Sequence, residues 1–220
     1  MNEQISNKIN LTIIPAFNEE KTIVRLVNQS KKFSDVLVVD DGSDDETASL
    51  ALQAGAKILQ NGVNRGYDYT INAGLFWAKK NGYRYAVTVD GDGQIPTAAA
   101  RLAIEQVAAG NDVVIAQRNR VNRWSEKIFK SVARRLWRIA DPLTGLKAYR
   151  LCNLPSDMVT PKYDSVGTYW MLYISKKPFF KMKTIQFNLQ EPVRKSRFGS
   201  GISADARILN ALLQDIREFF

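Results

Sequence analysis

Short apolar runs alternate along this chain with longer stretches in which apolar residues recur every three or four positions. The runs at 11–14, 36–39, 57–59, 86–89, 112–116 and 183–187 have the length and β-branched character of buried strands. Helical periodicity predicts helices at about 19–30, 46–54, 68–80, 98–109, 123–140, 163–176 and 203–218. In the first of these, Ile23, Leu26 and Val27 share a face, Asn18 is placed to cap, and Glu19 and Glu20 suit the first turn. Ser43 or Asp44 is the expected cap of the second. Strands alternating with helices at this spacing predict βαβ units and an α/β, Rossmann-like fold, with a mainly parallel central sheet flanked by helices.

In such sheets ligands bind beyond the carboxyl ends of the strands. Three predicted strand ends here run into acidic loops: Asn18-Glu19, Asp40-Asp41 and Asp90-Gly91-Asp92. They are expected to converge on one rim. Asp90 and Asp92 are two apart, so an extended backbone points both carboxylates the same way. Two hard oxygen anions suit Mg²⁺ or Mn²⁺ bridging to phosphate oxygens, and Gln94 can add a neutral oxygen. Gly91 and Gly93 would leave the backbone open to a ligand. The plain alternative is a polar turn after a strand, where acids and glycines are common.

Composition narrows the chemistry. The 220 residues fit one domain, read as two halves at about 9–118 and 119–220. The chain has no histidine, which removes Ser-His-Asp and Cys-His nucleophile systems and His-ligated zinc. A lone cysteine, Cys152, excludes an intramolecular disulfide and is expected to be a small buried residue. The net charge of +9 points to anionic partners such as nucleotide phosphates or lipid headgroups. No nucleic-acid-binding signature accompanies it, so nucleic acid is not an expected partner. The first ten residues lack an apolar signal core, which predicts a cytoplasmic protein.

Two segments of the second half add to this. On a helix over 123–140, Trp124, Ile128, Val132, Leu136 and Ile139 form an apolar stripe flanked by Lys127, Lys130, Arg134, Arg135 and Arg138. That is the pattern of a basic helix on an anionic membrane surface, here the inner face, and equally of a core-facing helix with a solvated basic face. The loop at 194–201 combines Arg194, Lys195 and Arg197 with glycines and could hold an anion.

Taken in order, Ile14-Pro15-Ala16-Phe17-Asn18-Glu19, Val39-Asp40-Asp41-Gly42-Ser43 and Asp90-Gly91-Asp92-Gly93-Gln94 resemble an inverting family-2 glycosyltransferase with a GT-A fold. Asp141-Pro142-Leu143-Thr144-Gly145 and Arg197-Phe198-Gly199 resemble its dolichol-phosphate and polyprenyl-phosphate sugar synthase branch. The resemblance implies that Pro15, Ala16, Phe17 and Glu19 line the nucleotide, with Asp40 or Asp41 contacting the base. Asp90, Asp92 and Gln94 would hold Mg²⁺ or Mn²⁺ against the donor diphosphate, with Gly91 and Arg194 in the donor site. Arg118 would face the phosphates and Arg197 the acceptor phosphate. The family usually has a second glycine and an alanine after Asn64-Arg65-Gly66, where this chain has Asp68 and Tyr69, and often a glutamate near Thr168-Tyr169-Trp170.

That missing glutamate bears on the acceptor. A sugar hydroxyl needs a general base before it attacks, whereas a lipid phosphate is ionised at neutral pH and needs cations to hold it close. The implied reaction is transfer of a sugar from a nucleotide-sugar to a polyprenyl phosphate, such as the dolichyl or undecaprenyl ester. With Asp141 or Asp164 as base, transfer to a saccharide in cell-surface polysaccharide assembly stays open. So do a basic nucleic-acid-binding module and a catalytically inactive relative.

Overall fold

A computed structural model describes residues 9–119, 121, 123–158, 161, 163–191 and 202–220. Seven strands form one sheet: β1 (Asn10–Ala16), β2 (Asp35–Asp40), β3 (Lys57–Gln60), β4 (Tyr85–Thr88), β5 (Val113–Arg118), β6 (Lys147–Arg150) and β7 (Met182–Phe187), in the order β3-β2-β1-β4-β6-β5-β7. All neighbours pair in parallel except β6, which runs antiparallel to β4 and β5. The sheet is therefore mainly parallel, as expected, with one reversed strand in its interior, between β4 and β5.

The strands are apolar on both sides because both faces are covered. Leu11 and Ile13 of β1, Leu37 and Val39 of β2, and Val113 and Ile115 of β5 pack on one face. Helices α3 (Tyr67–Lys80), α5 (Trp124–Leu136), α6 (Tyr169–Ser175) and α7 (Ile202–Phe219) supply that layer. The alternate residues, Ile14, Val36, Val38, Val87, Val114 and Ala116, face α1 (Ile23–Ser30), α2 (Thr47–Gln53) and α4 (Thr97–Ala108). The period-two switch of side chains across the pleat puts each strand in both cores.

Several local expectations change. Asn18 does not cap α1. It takes φ 53°, its backbone N–H donates to Ser43 Oγ, and its Oδ1 accepts from Asp44 N, both at 2.7 Å. It thus ties the turn after β1 to the turn after β2. Neither Ser43 nor Asp44 caps α2; Asp45 Oδ1 accepts from Thr47 N at 3.0 Å. The helix expected at 163–176 is only α6, because Val166 and Gly167 adopt positive φ just before it. Helix α5 stops at Leu136, and Arg138 follows at φ 59°. Its inward face is Ser125, Phe129 and Ala133. Trp124 and Ile128 of the expected stripe are 55% and 43% exposed. Cys152 is exposed, contrary to expectation, because it falls in a 3₁₀ turn (Leu151–Asn153) after β6 whose inward residue is Leu151. Among the described residues no helix is long and apolar enough to cross a membrane.

Candidate active site

A cavity of about 400 Å³ opens beyond the carboxyl end of β4. Asp90, Asp92 and Gln94 from the loop after β4 form one wall, and Tyr67 at the start of α3 adjoins them. Arg118 from the end of β5, with Arg123 and Glu126 around the start of α5, forms a second. Ile95, Leu143, Val166, Leu189 and Ile208 supply an apolar lining. Of the residues singled out from sequence, the structure brings Asp90, Asp92, Gln94 and Arg118 together in this cavity.

Asp90 is fixed from two sides. Tyr67 OH donates to its Oδ1 at 3.0 Å. Gly145, brought alongside by antiparallel β6, lies so close that a Cβ there would sit 1.9 Å from Asp90 Oδ2. Asp92 accepts from Gln94 N and from Gln94 Nε2, both at 2.9 Å. Gln94 therefore orients Asp92 through its amide nitrogen, a use the neutral-oxygen reading missed. Burial first, and then the charge of Asp92, push the Asp90 carboxyl up to about 6. Burial likewise raises Asp92. Two desolvated carboxylates that repel each other are an arrangement a dication's charge would reverse. Among the described residues no group of three or more His, Cys, Asp or Glu could hold a metal. Two carboxylates with substrate phosphates filling the remaining positions is nevertheless a normal set for Mg²⁺.

The opposite wall is a clamp around Arg118. Its backbone N, Nε and Nη2 donate to Asp141, each at 3.0 Å. Burial opposes the guanidinium charge, but the hydrogen bond and charge of Asp141 outweigh it and raise Arg118. Asp141 is 1% exposed. In this arrangement both carboxylate oxygens of Asp141 are engaged by Arg118, and Asp141 is not among the residues lining the cavity. Asp164 pairs with Arg207 of α7 at 2.7 Å, outside the cavity lining.

Sequence reading missed three groups. Glu126 Oε2 is ion-paired with Arg118 Nη2 at 3.0 Å. Lys147, 3% exposed, donates from Nζ to Thr144 O at 2.5 Å, and burial pushes its ammonium down to about 8 against the pull of Asp90 and Asp141. Tyr67 is raised well above the usual tyrosine range by burial and then by Asp90. None of the three is marked out in the sequence by a motif or by spacing.

The residues expected at the nucleotide lie on the neighbouring rim, outside this cavity lining. Pro15 and Ala16, the last residues of β1, and Glu19 in the turn after it are buried. Gly91 has no room for a side chain. It packs into that turn, where a Cβ would meet Pro15 O at 2.9 Å and Glu19 Cγ at 3.1 Å, and Thr22 Oγ1 donates to its carbonyl at 2.5 Å. Gly93 is likewise covered, by Arg25. Asp40 accepts from Ser43 Oγ. Asp41 accepts from Asn61 Nδ2 and Arg65 N at 2.9 Å and Gly66 N at 2.8 Å, so its carboxylate organises the loop at 61–66. Phe17 is half-buried beside them. Arg194 and Arg197 lie outside the described residues.

The model of glycosyl transferase family 2 matches residues 12–189. The chain belongs to that family. It is 33% identical over 118 residues to the polyprenol monophosphomannose synthase of Mycolicibacterium smegmatis, covering 49% of this chain and 44% of that one. It is 28% identical over 158 residues to the undecaprenyl-phosphate 4-deoxy-4-formamido-L-arabinose transferase of Pseudomonas fluorescens, covering 63% of this chain and 46% of that one. The chain spans about half the length of the curated relatives it matches. The fold is that of glucosyl-3-phosphoglycerate synthase from Mycobacterium tuberculosis, solved with Mn²⁺, UDP-glucose and phosphoglyceric acid. TM-score is 0.74 and identity 17%, over 96% of this chain and 80% of that one.

Proposed function

We propose that this family-2 chain is a metal-dependent inverting glycosyltransferase that moves a sugar from a nucleotide-sugar to a polyprenyl phosphate. The observation that carries the reading is the cavity itself: Asp90 and Asp92 on one wall, a clamped Arg118 on another, and an apolar lining between them. Mg²⁺ or Mn²⁺ held by Asp90 and Asp92, with Gln94 orienting Asp92, would supply positive charge to the donor diphosphate. Arg118, prevented from swinging by Asp141, sets a fixed guanidinium against the charge that grows on the leaving diphosphate. An acceptor phosphate oxygen attacks the anomeric carbon as its bond to the diphosphate oxygen breaks. One in-line displacement inverts the configuration, and the nucleoside diphosphate leaves with the bonding pair. The apolar lining suits the first isoprene units of such an acceptor. The matched relatives are named for polyprenyl and undecaprenyl phosphate, which agrees with this acceptor class.

Membrane association fits the same picture. Helix α5 lends Arg123 and Glu126 to the cavity region while exposing Trp124 and Ile128 among Lys127, Arg134 and Arg135. An aromatic and an aliphatic side chain ringed by cations would set the cavity mouth against an anionic leaflet.

Glu126 supports a second reading. It is a carboxylate among the residues lining the cavity, ion-paired with Arg118 at 3.0 Å, and would be the base for a hydroxyl acceptor. Radiolabel transfer separates the two. Product with a short-chain prenyl phosphate and none with free saccharides supports the first; the reverse pattern, abolished by Glu126→Gln, supports the second. No thermal stabilisation by any nucleotide-sugar with Mn²⁺ refutes both.

A further inference from the structure

The turn at 165–167, immediately before α6, holds a strained conformation against the cavity. Val166 takes φ 46°, which a β-branched side chain rarely adopts, and Gly167 follows at φ 81°. Three successive N–H groups pin the turn: Ser165 N donates to Asp68, Gly167 N donates to Asp68 at 2.5 Å, and Val166 N donates to Asp164 at 3.2 Å. Gly167 lies against Tyr67, where a Cβ would come within 2.9 Å of the ring, and the same Tyr67 donates to Asp90. Val166 itself is 7% exposed and lines the cavity with Ile208 of α7. Backbone strain of this kind persists only where the surroundings over-determine it, and it concentrates at ligand-contacting positions.

We infer that the turn clamped by Asp68 sets donor specificity, with Val166 as an apolar wall against the sugar of a nucleotide-sugar whose diphosphate lies at Asp90 and Asp92. The inference rests on the donor reading above. A sugar bonded to a diphosphate at Asp90 has Tyr67, Gly167 and Val166 as neighbours on one side. A valine there packs on the C–H face of a pyranose and offers no hydrogen-bond partner to a larger polar substituent. The wall therefore favours a plain hexose over one enlarged by an acetamido group. Asp68 touches no ligand; it is a positioning residue that acts through the turn.

The test uses the full chain with Mn²⁺ and calorimetric Kd values for UDP, GDP, UDP-glucose, UDP-N-acetylglucosamine and GDP-mannose. Val166→Gly is expected to leave UDP and GDP within about twofold, while the preference for plain hexose donors over the N-acetylated one shrinks by about tenfold. Asp68→Asn is expected to narrow that preference too, and to add nothing in the Val166→Gly background, because both changes act on one wall. Thermal melts check folding, and Val166→Ala carries the test if Asp68→Asn fails to fold. Parallel changes for the free diphosphates and the nucleotide-sugars, or an unmoved preference, overturn the inference and leave the donor reading standing. A folded wild-type chain that binds none of the five probes overturns both.

Discussion

Replacing Asp141 by asparagine asks whether this carboxylate holds Arg118 or takes a proton from an acceptor. It is 1% exposed and accepts three hydrogen bonds from Arg118, each at 3.0 Å. Asparagine keeps one acceptor but turns an N–H₂ toward a guanidinium. Breaking a buried ion pair by removing one partner costs about 3–5 kcal/mol. Glu126, 3.0 Å from Arg118 Nη2, keeps part of the compensation, so the lower end, about 3 kcal/mol, is expected. For a domain of this size each kcal/mol moves Tm by about 2–4 °C, so Asp141→Asn should melt about 6–12 °C lower. Arg118→Met strands the Asp141 charge and should cost a similar amount. The double variant should lose less than the sum of the singles, by about 1–3 kcal/mol, because the two act on one contact. Turnover should fall by a similar factor, about 10²–10³, in each single variant, since both lose the same fixed cation. The assays are thermal melts and initial rates across pH. If Asp141→Asn melts within about 2 °C of wild type yet abolishes turnover along with the acidic limb of the pH profile, Asp141 is a base and the clamp argument is wrong.

Asp92→Ala should abolish the thermal shift that Mn²⁺ adds to UDP binding while leaving the apo melt unchanged or higher, because Asp90 loses a repelling neighbour. An intact Mn²⁺-dependent shift removes the metal assignment. Asp215 of α7 is fully buried, accepts from Thr168 Oγ1 and Tyr163 OH, and is pushed up to about 7 by burial. A folded value above the unfolded 3.8 means the protein loses stability as pH rises from about 4 to about 7, by up to about 4 kcal/mol from this group. Asp215→Asn should flatten that slope in urea titrations at pH 5 and pH 8, and an unchanged slope contradicts it. Trp124→Ser with Ile128→Ser should cut flotation with anionic liposomes several-fold at low salt without lowering Tm. Equal flotation returns the exposed face of α5 to ordinary surface.

The layered fold was legible because its signal is local. Buried strands 11–14, 36–39 and 86–89 are continuous apolar runs, and each ends in an acidic loop at the same rim. Strand β6 was not legible, since the four residues 147–150 form too short a run to mark a strand, and its reversed direction is decided by how the chain returns from α5. That reversal is what brings Gly145 onto Asp90 and buries Lys147 beneath it. The carboxylate pair could be read from its spacing. The contacts of Gly91 and Asp141 could not, because each depends on a partner far along the chain: Pro15 and Glu19 for Gly91, Arg118 for Asp141. Asn18 and Asp41 likewise depend on distant partners. Both are ordinary turn residues by type, and both turn out to join one loop of the rim to the next.

These joins matter because the rim carries charge the core does not tolerate alone. Asp90, Asp141, Arg118 and Lys147 lie within electrostatic reach of one another, and each exerts its field through protein more than through water. Asp141 and Arg118 satisfy each other; Asp90 and Asp92 do not, and burial raises both. The carboxylate pair is thus a local cost in stability that a ligand of opposite charge repays. A ligand bound only by the folded chain stabilises it by RT ln(1 + [L]/Kd), about 2.7 kcal/mol at a hundredfold excess over Kd. Cation and nucleoside diphosphate should therefore raise Tm together by more than the sum of their separate effects. The diphosphate alone adds negative charge beside Asp90 and Asp92, and the cation alone finds only two protein carboxylates. Strictly additive shifts would mean that the two ligands do not meet at this wall.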